Sequence, residues 1–179
     1  FPEVQKKLMD TELEKQMEFA KTILQTSLSL REEQKLRLRW PLKGLVVKTK
    51  TGKELGKVLG ILASSANVKE ISETTSSPKG TYAEKSMDES TSLFLDTSTD
   101  AELEEEWELM ELRRRIQEAR KQAKLMPQNK VELLISCSDA SFLKKHSKQI
   151  EAETNTKLVH REGKMEKLLK REFYIEIKK

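Results

Sequence analysis

Leu13, Met17, Ala20, Leu24 and Ser27/Leu28 recur at three- and four-residue spacing, which predicts a helix from Asp10 to about Lys35 with these residues on one face. Thr11 followed by Glu14 fits a capping box at its start, the hydroxyl and the carboxylate each meeting a backbone N–H. The period then changes to two. Leu36, Leu38 and Trp40 alternate with Arg37 and Arg39, which predicts a strand with the arginines on one face. Pro41 interrupts it and marks an edge, a bulge or a break, and Leu45-Val46-Val47 continues it. Gly52 reads as a turn. Leu55, Val58, Leu59 and Leu62 predict a short amphipathic helix closed by Asn67, and Val68 to Ile71 a short strand. Ser72 to Ser92 is rich in Ser, Thr, Pro and Gly and predicts a mobile loop with one edge strand near Tyr82. Leu93-Phe94-Leu95 resumes the sheet.

Thr99 followed by Glu102 is a second capping box, opening the longest helix, to about Lys124. Its apolar stripe is Leu103, Trp107, Leu109, Leu112, Ile116, Ala119 and Ala123. Val131, Leu133 and Ile135 alternate as a strand. Ser138 or Asp139 caps a helix carrying Phe142, Leu143, His146 and Ile150. Lys157 to His160 reads as a strand, Gly163 as a turn, and Phe173, Ile175 and Ile177 as a closing strand. The expected fold class is α+β, a long N-terminal helix followed by two small mixed α/β sub-domains. The expected boundaries are a terminal helix over 1–35, a first unit over 36–72, a linker loop over 73–92 and a second unit over 93–179.

The 179 residues suffice for one domain or two small ones. Charged and hydrophobic residues each make up 36%, too apolar for a disordered chain. No apolar run is long enough to span a bilayer. The opening Phe1-Pro2-Glu3-Val4 reads as a fragment of a longer protein rather than a leader peptide. One cysteine, Cys137, excludes an internal disulfide. With His146 and His160 it lacks the spacing of a zinc site, so Cys137 reads as a small buried strand residue. There is no glycine-rich phosphate loop and no nucleophile elbow. We therefore assign no catalytic residue, no metal ligand and no cofactor to this fragment, and expect a monomer.

Charge is unevenly spread. Residues 1–60 carry 13 basic and 8 acidic side chains, residues 61–111 carry 3 and 13, and residues 112–179 carry 18 and 9. Either the acidic block pairs with basic faces of the same chain, or the basic segments meet an anionic partner. Acidic residues crowd the start of the long helix and basic ones its end, which also complements the helix dipole.

The candidate RNA-binding residues are Arg37, Arg39, Trp40, Lys43, Arg114, Arg115 and Lys121. Arginine forks suit phosphate oxygens. Arg37 and Arg39 serve either RNA or salt bridges to the acidic helix start. Trp40 is in phase with Leu36 and Leu38, which favours the core; the alternative is stacking on an unpaired base. Arg113, Arg114 and Arg115 cannot all face one way, because successive helical residues are about 100° apart.

Three blocks carry a family resemblance. They are Phe1-Pro2-Glu3-Val4 with Leu8-Met9-Asp10, then Ser29-Leu30-Arg31 through Arg39-Trp40-Pro41-Leu42, then Leu95-Asp96-Thr97 with Arg114-Arg115-Ile116-Gln117-Glu118. Together they resemble the C-terminal, anticodon-binding and appended region of an archaeal/eukaryotic-type isoleucyl-tRNA synthetase. The first helix would be the last of the anticodon-binding bundle. Trp107 replaces a usual glycine, Met110 a usual basic residue, and the Ser72–Ser92 connection is short for the family. Lys164-Met165-Glu166-Lys167 lacks both serines of the family's ATP-binding loop. The resemblance implies a cytoplasmic parent enzyme that ligates isoleucine to its tRNA using ATP and Mg. The fragment would be non-catalytic, with tRNA and the catalytic body as partners and no membrane. Two alternatives remain, a protein-docking module built on the acidic segment Asp100–Glu111, and the matching region of a valyl or leucyl synthetase.

Overall fold

The computed structural model describes residues 10–52 and 54–178. The lead-in segment Phe1–Met9, and the part of the resemblance it carries, lie outside the described residues. The chain divides into two compact units, Phe1–Leu103 and Glu104–Lys179.

The first unit holds helix α1 (Thr11–Glu33), strand β1 (Leu42–Lys48), helix α2 (Leu59–Ala66), and strands β2 (Val68–Thr74), β3 (Tyr82–Ser86) and β4 (Ser92–Asp96). The sheet order is β2-β1-β4-β3. β1 and β2 are parallel, which requires a crossover; α2 and the 3-10 turn Gly56–Val58 supply it. β4 returns antiparallel to β1, placing Leu45 opposite Leu95 and Val47 opposite Leu93, all fully buried. α1 packs on α2, β3 and β4.

The second unit begins inside α3 (Ala101–Gln122) and continues through β5 (Val131–Cys137), α4 (Ala140–Thr154), β6 (Thr156–His160), β7 (Glu166–Leu168) and β8 (Arg171–Lys178). Its sheet order is β6-β5-β8-β7, with β5 and β6 parallel around α4. Leu109, Leu112 and Ile116 of α3 pack with Leu133 and Ile135 of β5, Phe142 and Ile150 of α4, and Phe173 of β8.

The two units thus repeat one plan: long helix, strand, crossover helix, parallel strand, then a hairpin whose second strand pairs back on the first. The repetition extends to single residues. Each long helix buries an arginine near its end, Arg31 or Arg120. Four residues later each unit turns on a left-handed lysine, Lys35 (φ 56) or Lys124 (φ 58), followed by a leucine. Each crossover helix ends on a left-handed asparagine, Asn67 (φ 52) or Asn155 (φ 49).

The α+β class and the long first helix agree with expectation; several local assignments need correction. Residues 36–40 form turns, not a strand, and the strand starts only at Leu42, after Pro41. Residues 73–92 are not one loop: they hold the end of β2 and all of β3, which is the edge strand expected near Tyr82. Backbone pairing of β3 to β4 outweighs the turn-rich composition there. The helix caps move by one residue. Asp10 and Asp100, not Thr11 and Thr99, accept the N–H of Leu13 and Leu103. A carboxylate is the stronger acceptor at a helix N-terminus. Asp139 caps α4, settling the choice left open with Ser138. On α1 the buried stripe runs through Ala20, Ile23, Ser27, Leu30 and Arg31, leaving Leu13 and Leu28 exposed. Ala20 and Ser27 of the predicted stripe are therefore on the packing side, but the stripe is rotated toward Ile23, Leu30 and Arg31 and away from Leu13 and Leu28. On α3, Leu103, Trp107, Leu109, Leu112 and Ile116 are buried as expected.

Candidate nucleic-acid interface

The loop after α1 is built around Arg31. Its guanidinium donates to the carbonyls of Trp40 (2.8 Å), Arg37 (3.4 Å), Ala66 (2.8 Å) and Asn67 (2.7 Å). Burial lowers its pKa to about 10, so it stays charged at neutral pH. The Asn67 amide donates to the Leu38 carbonyl (3.0 Å). With the carbonyls of 37, 38 and 40 drawn inward, the side chains of Arg37, Leu38 and Arg39 turn outward; Leu38 is 60% exposed. Trp40 is half-buried, and the Arg37 guanidinium lies 5.4 Å from its ring centroid, a cation–π distance. Arg37, Arg39 and Trp40 therefore share one anchored loop, though not the flat strand face expected of them. Lys43, on β1, pairs with Asp100 at 2.8 Å.

The other candidates lie in the second unit and do not form one surface. Arg114 is held by Glu111 (2.7 Å) and Glu118 on its own helix. Arg115 faces Glu166 at 3.6 Å and lines a groove of about 460 Å³ with Lys164, Lys167 and Tyr174. Lys121 lines a different groove, with Lys124 and Met126.

The acidic segment is largely consumed inside the chain. Asp100 meets Lys43; Glu104 meets Lys170; Glu105 meets Lys145 (2.7 Å) and His146 (2.6 Å); Glu108 meets Arg171. Hydrogen bonds from Lys145 and His146 hold the Glu105 carboxyl below its ordinary pKa, and Lys43 does the same for Asp100. Glu108 is buried and also accepts the N–H groups of Lys170 (2.8 Å) and Arg171 (2.9 Å), which fixes the β7–β8 turn. Pairing within the chain thus accounts for Asp100, Glu104, Glu105 and Glu108, and for Glu111 through Arg114, the part of the acidic block that lies on the long helix and its cap.

Cys137 is half-buried at the end of β5, and burial pushes its thiol up. Among the described residues no group of three His, Cys, Asp or Glu could hold a metal ion, and no helix is long and apolar enough to cross a membrane.

The sequence reading missed the arginines that matter structurally, Arg31 and Arg120. Arg120 donates to the carbonyls of Met126 (2.9 Å), Pro127 (3.3 Å), Asn129 (2.9 Å) and Asn155 (3.3 Å), as Arg31 does in the first unit. A signal existed: Arg31 and Arg120 each precede a Lys-Leu pair at the same spacing.

No protein-family model matches the chain. Part of it is similar to isoleucine–tRNA ligases of archaea. The identity is 38% over 71 residues for Methanopyrus kandleri, 32% over 74 residues for Thermococcus kodakarensis and 31% over 74 residues for Pyrococcus abyssi. Each alignment covers 40% of this chain and 7% of the relative's length. Over that stretch the chain is related to a synthetase region.

Proposed function

We propose that this chain is a non-catalytic, tRNA-binding appendage from the C-terminal region of a cytoplasmic isoleucine–tRNA ligase. The catalytic body of the parent enzyme would supply the ATP- and Mg-dependent ligation, and the tRNA and that body would be its partners. The reading is carried by the similarity to three isoleucine–tRNA ligases, joined to the loop on which Arg37 and Arg39 project beside Trp40. Two exposed arginines and a half-buried indole on one loop suit phosphates and an unpaired base. The docking alternative loses its main support, since the acidic segment it would use is paired within the chain.

The test is filter binding of the chain to isoleucine tRNA, an anticodon-swapped version and an unrelated tRNA, across a salt series. Arg37→Ala with Arg39→Ala should weaken binding about tenfold and lower the log–log salt slope by about 1.5, at roughly 0.7–0.9 per lost phosphate contact. Unchanged affinity in the double variant would remove this loop from the interface.

A further inference from the structure

The two units carry the same groove, at matching positions outside their buried arginines. In the first unit it is lined by Leu28, Glu32, Lys35, Leu36 and Leu38. In the second the matching positions are Gln117, Lys121, Lys124, Leu125 and Pro127. The leucines at the ends have become Gln117 and Pro127, and Glu32 has become Lys121. One copy of the groove is mixed and apolar; the other is cationic.

The cationic groove continues into a second one. Asn155 donates from its amide to the Pro127 carbonyl (3.1 Å), and on the far side of that bond Lys130, Lys148 and Lys157 line a groove of about 390 Å³. All five lysines are exposed, and none is in an ion pair among the described residues. The one carboxylate in the two grooves, Glu151, accepts the Leu158 N–H at 2.8 Å. Elsewhere in this unit Arg113, Arg114, Arg115, Lys145, Lys170 and Arg171 all have carboxylate partners. Of the unit's basic side chains outside ion pairs, these five lie around the Arg120 cap, with Lys157 also within the field of the Glu132 carboxylate; Lys144, Lys164 and Lys167 lie elsewhere, the last two in a groove that also holds Glu118 and Glu166.

We propose that the lysine rim formed by Lys121, Lys124, Lys130, Lys148 and Lys157 binds the phosphate backbone of RNA, deepening the tRNA-binding reading above, on which it rests. It replaces Arg114 and Arg115 as the RNA contact of the second unit. Lysine ammoniums serve as point charges for phosphates. Protein–protein interfaces are depleted in lysine, which disfavours a folded protein as the occupant. The buried Arg120 holds the loop carbonyls, so the rim is presented on an ordered loop.

The test uses the 179-residue chain, a tRNA transcript and poly-glutamate as probes, and fluorescence anisotropy across a salt series. The triple variant Lys124→Gly, Lys130→Ala and Lys157→Ala should weaken tRNA binding at least tenfold. It should also lower the salt slope by about 2. Lys124→Gly removes a charge at a left-handed position that glycine prefers, so the loss cannot be put down to misfolding when the melting temperature is retained. Arg114→Gln should leave tRNA affinity within twofold. If the wild-type chain binds tRNA and the triple variant binds equally well, this face is not the contact and the tRNA-binding reading stands. If the wild type binds poly-glutamate through these lysines but not tRNA, the occupant is an acidic protein segment and both are overturned. Binding of neither probe also overturns both.

Discussion

Arg31 and Arg120 show how one buried side chain can fold a loop. Each reaches the carbonyls of its own loop and that of a left-handed asparagine more than 30 residues further along the chain. A guanidinium can do this because its donors point outward in one plane; an ammonium presents its three from a single point. Arg31→Lys should therefore lose at least two of the four carbonyl contacts and leave buried acceptors unpaired. The expected cost is about 2–4 kcal/mol, from roughly 1.5–3 kcal/mol for a hydrogen bond to a charged group plus the unpaired acceptors. Urea unfolding would check it, and a loss below about 0.5 kcal/mol would contradict the role. The same contacts explain why Arg37 and Arg39 face outward: their exposure follows from where the backbone carbonyls go, not from strand alternation.

At the scale of the elements, helix ends decide where each unit turns. Asp10, Asp100 and Asp139 open α1, α3 and α4 by accepting backbone N–H groups, and left-handed residues close the helices. Lys35 pays the steric cost of a positive φ that glycine avoids. Its replacement by glycine should raise stability by up to about 1 kcal/mol, read as a higher urea midpoint with unchanged slope. A fall instead would mean that the Lys35 side chain makes a stabilising contact. The α3 stripe was legible in the sequence because its apolar residues lie on one face and that face is the buried one. The α1 stripe was legible only in part, at Ala20 and Ser27: leucines sit on both sides of the helix, and only packing selects Ile23 and Arg31. Residues 36–40 mislead for a related reason. Arg-Leu alternation has the period of a strand, but the backbone groups a strand would need are taken by Arg31 and Asn67. Of the candidate site residues, all were legible as cations or aromatics; which of them were spent on carboxylates was not.

For the molecule as a whole, ion pairs within each unit make stability depend on acid. Asp100 is lowered chiefly by Lys43, Glu105 by Lys145 and then His146, and Asp139 by the Ser141 hydroxyl and the Phe142 N–H. A carboxyl whose pKa is lower in the folded than the unfolded chain adds stability in full above its unfolded value, near pH 4–5, and loses it as pH falls through the folded value. The melting temperature should therefore be flat from pH 7 to about 5 and fall steadily below about 4.5. Glu105→Gln should flatten part of that fall, and an unchanged pH profile would contradict its part in it. The sequence by itself determined the α+β class, the long helices, most strands and the excess of basic charge. These depend on local periodicity and composition, which short stretches carry. Only the tertiary structure decided that the two units share one topology, that two arginines are structural, and that five lysines from separate elements come together around one of them. Each of those depends on contacts between residues far apart in the chain, where a carbonyl or a carboxylate finds its partner only after the fold has formed.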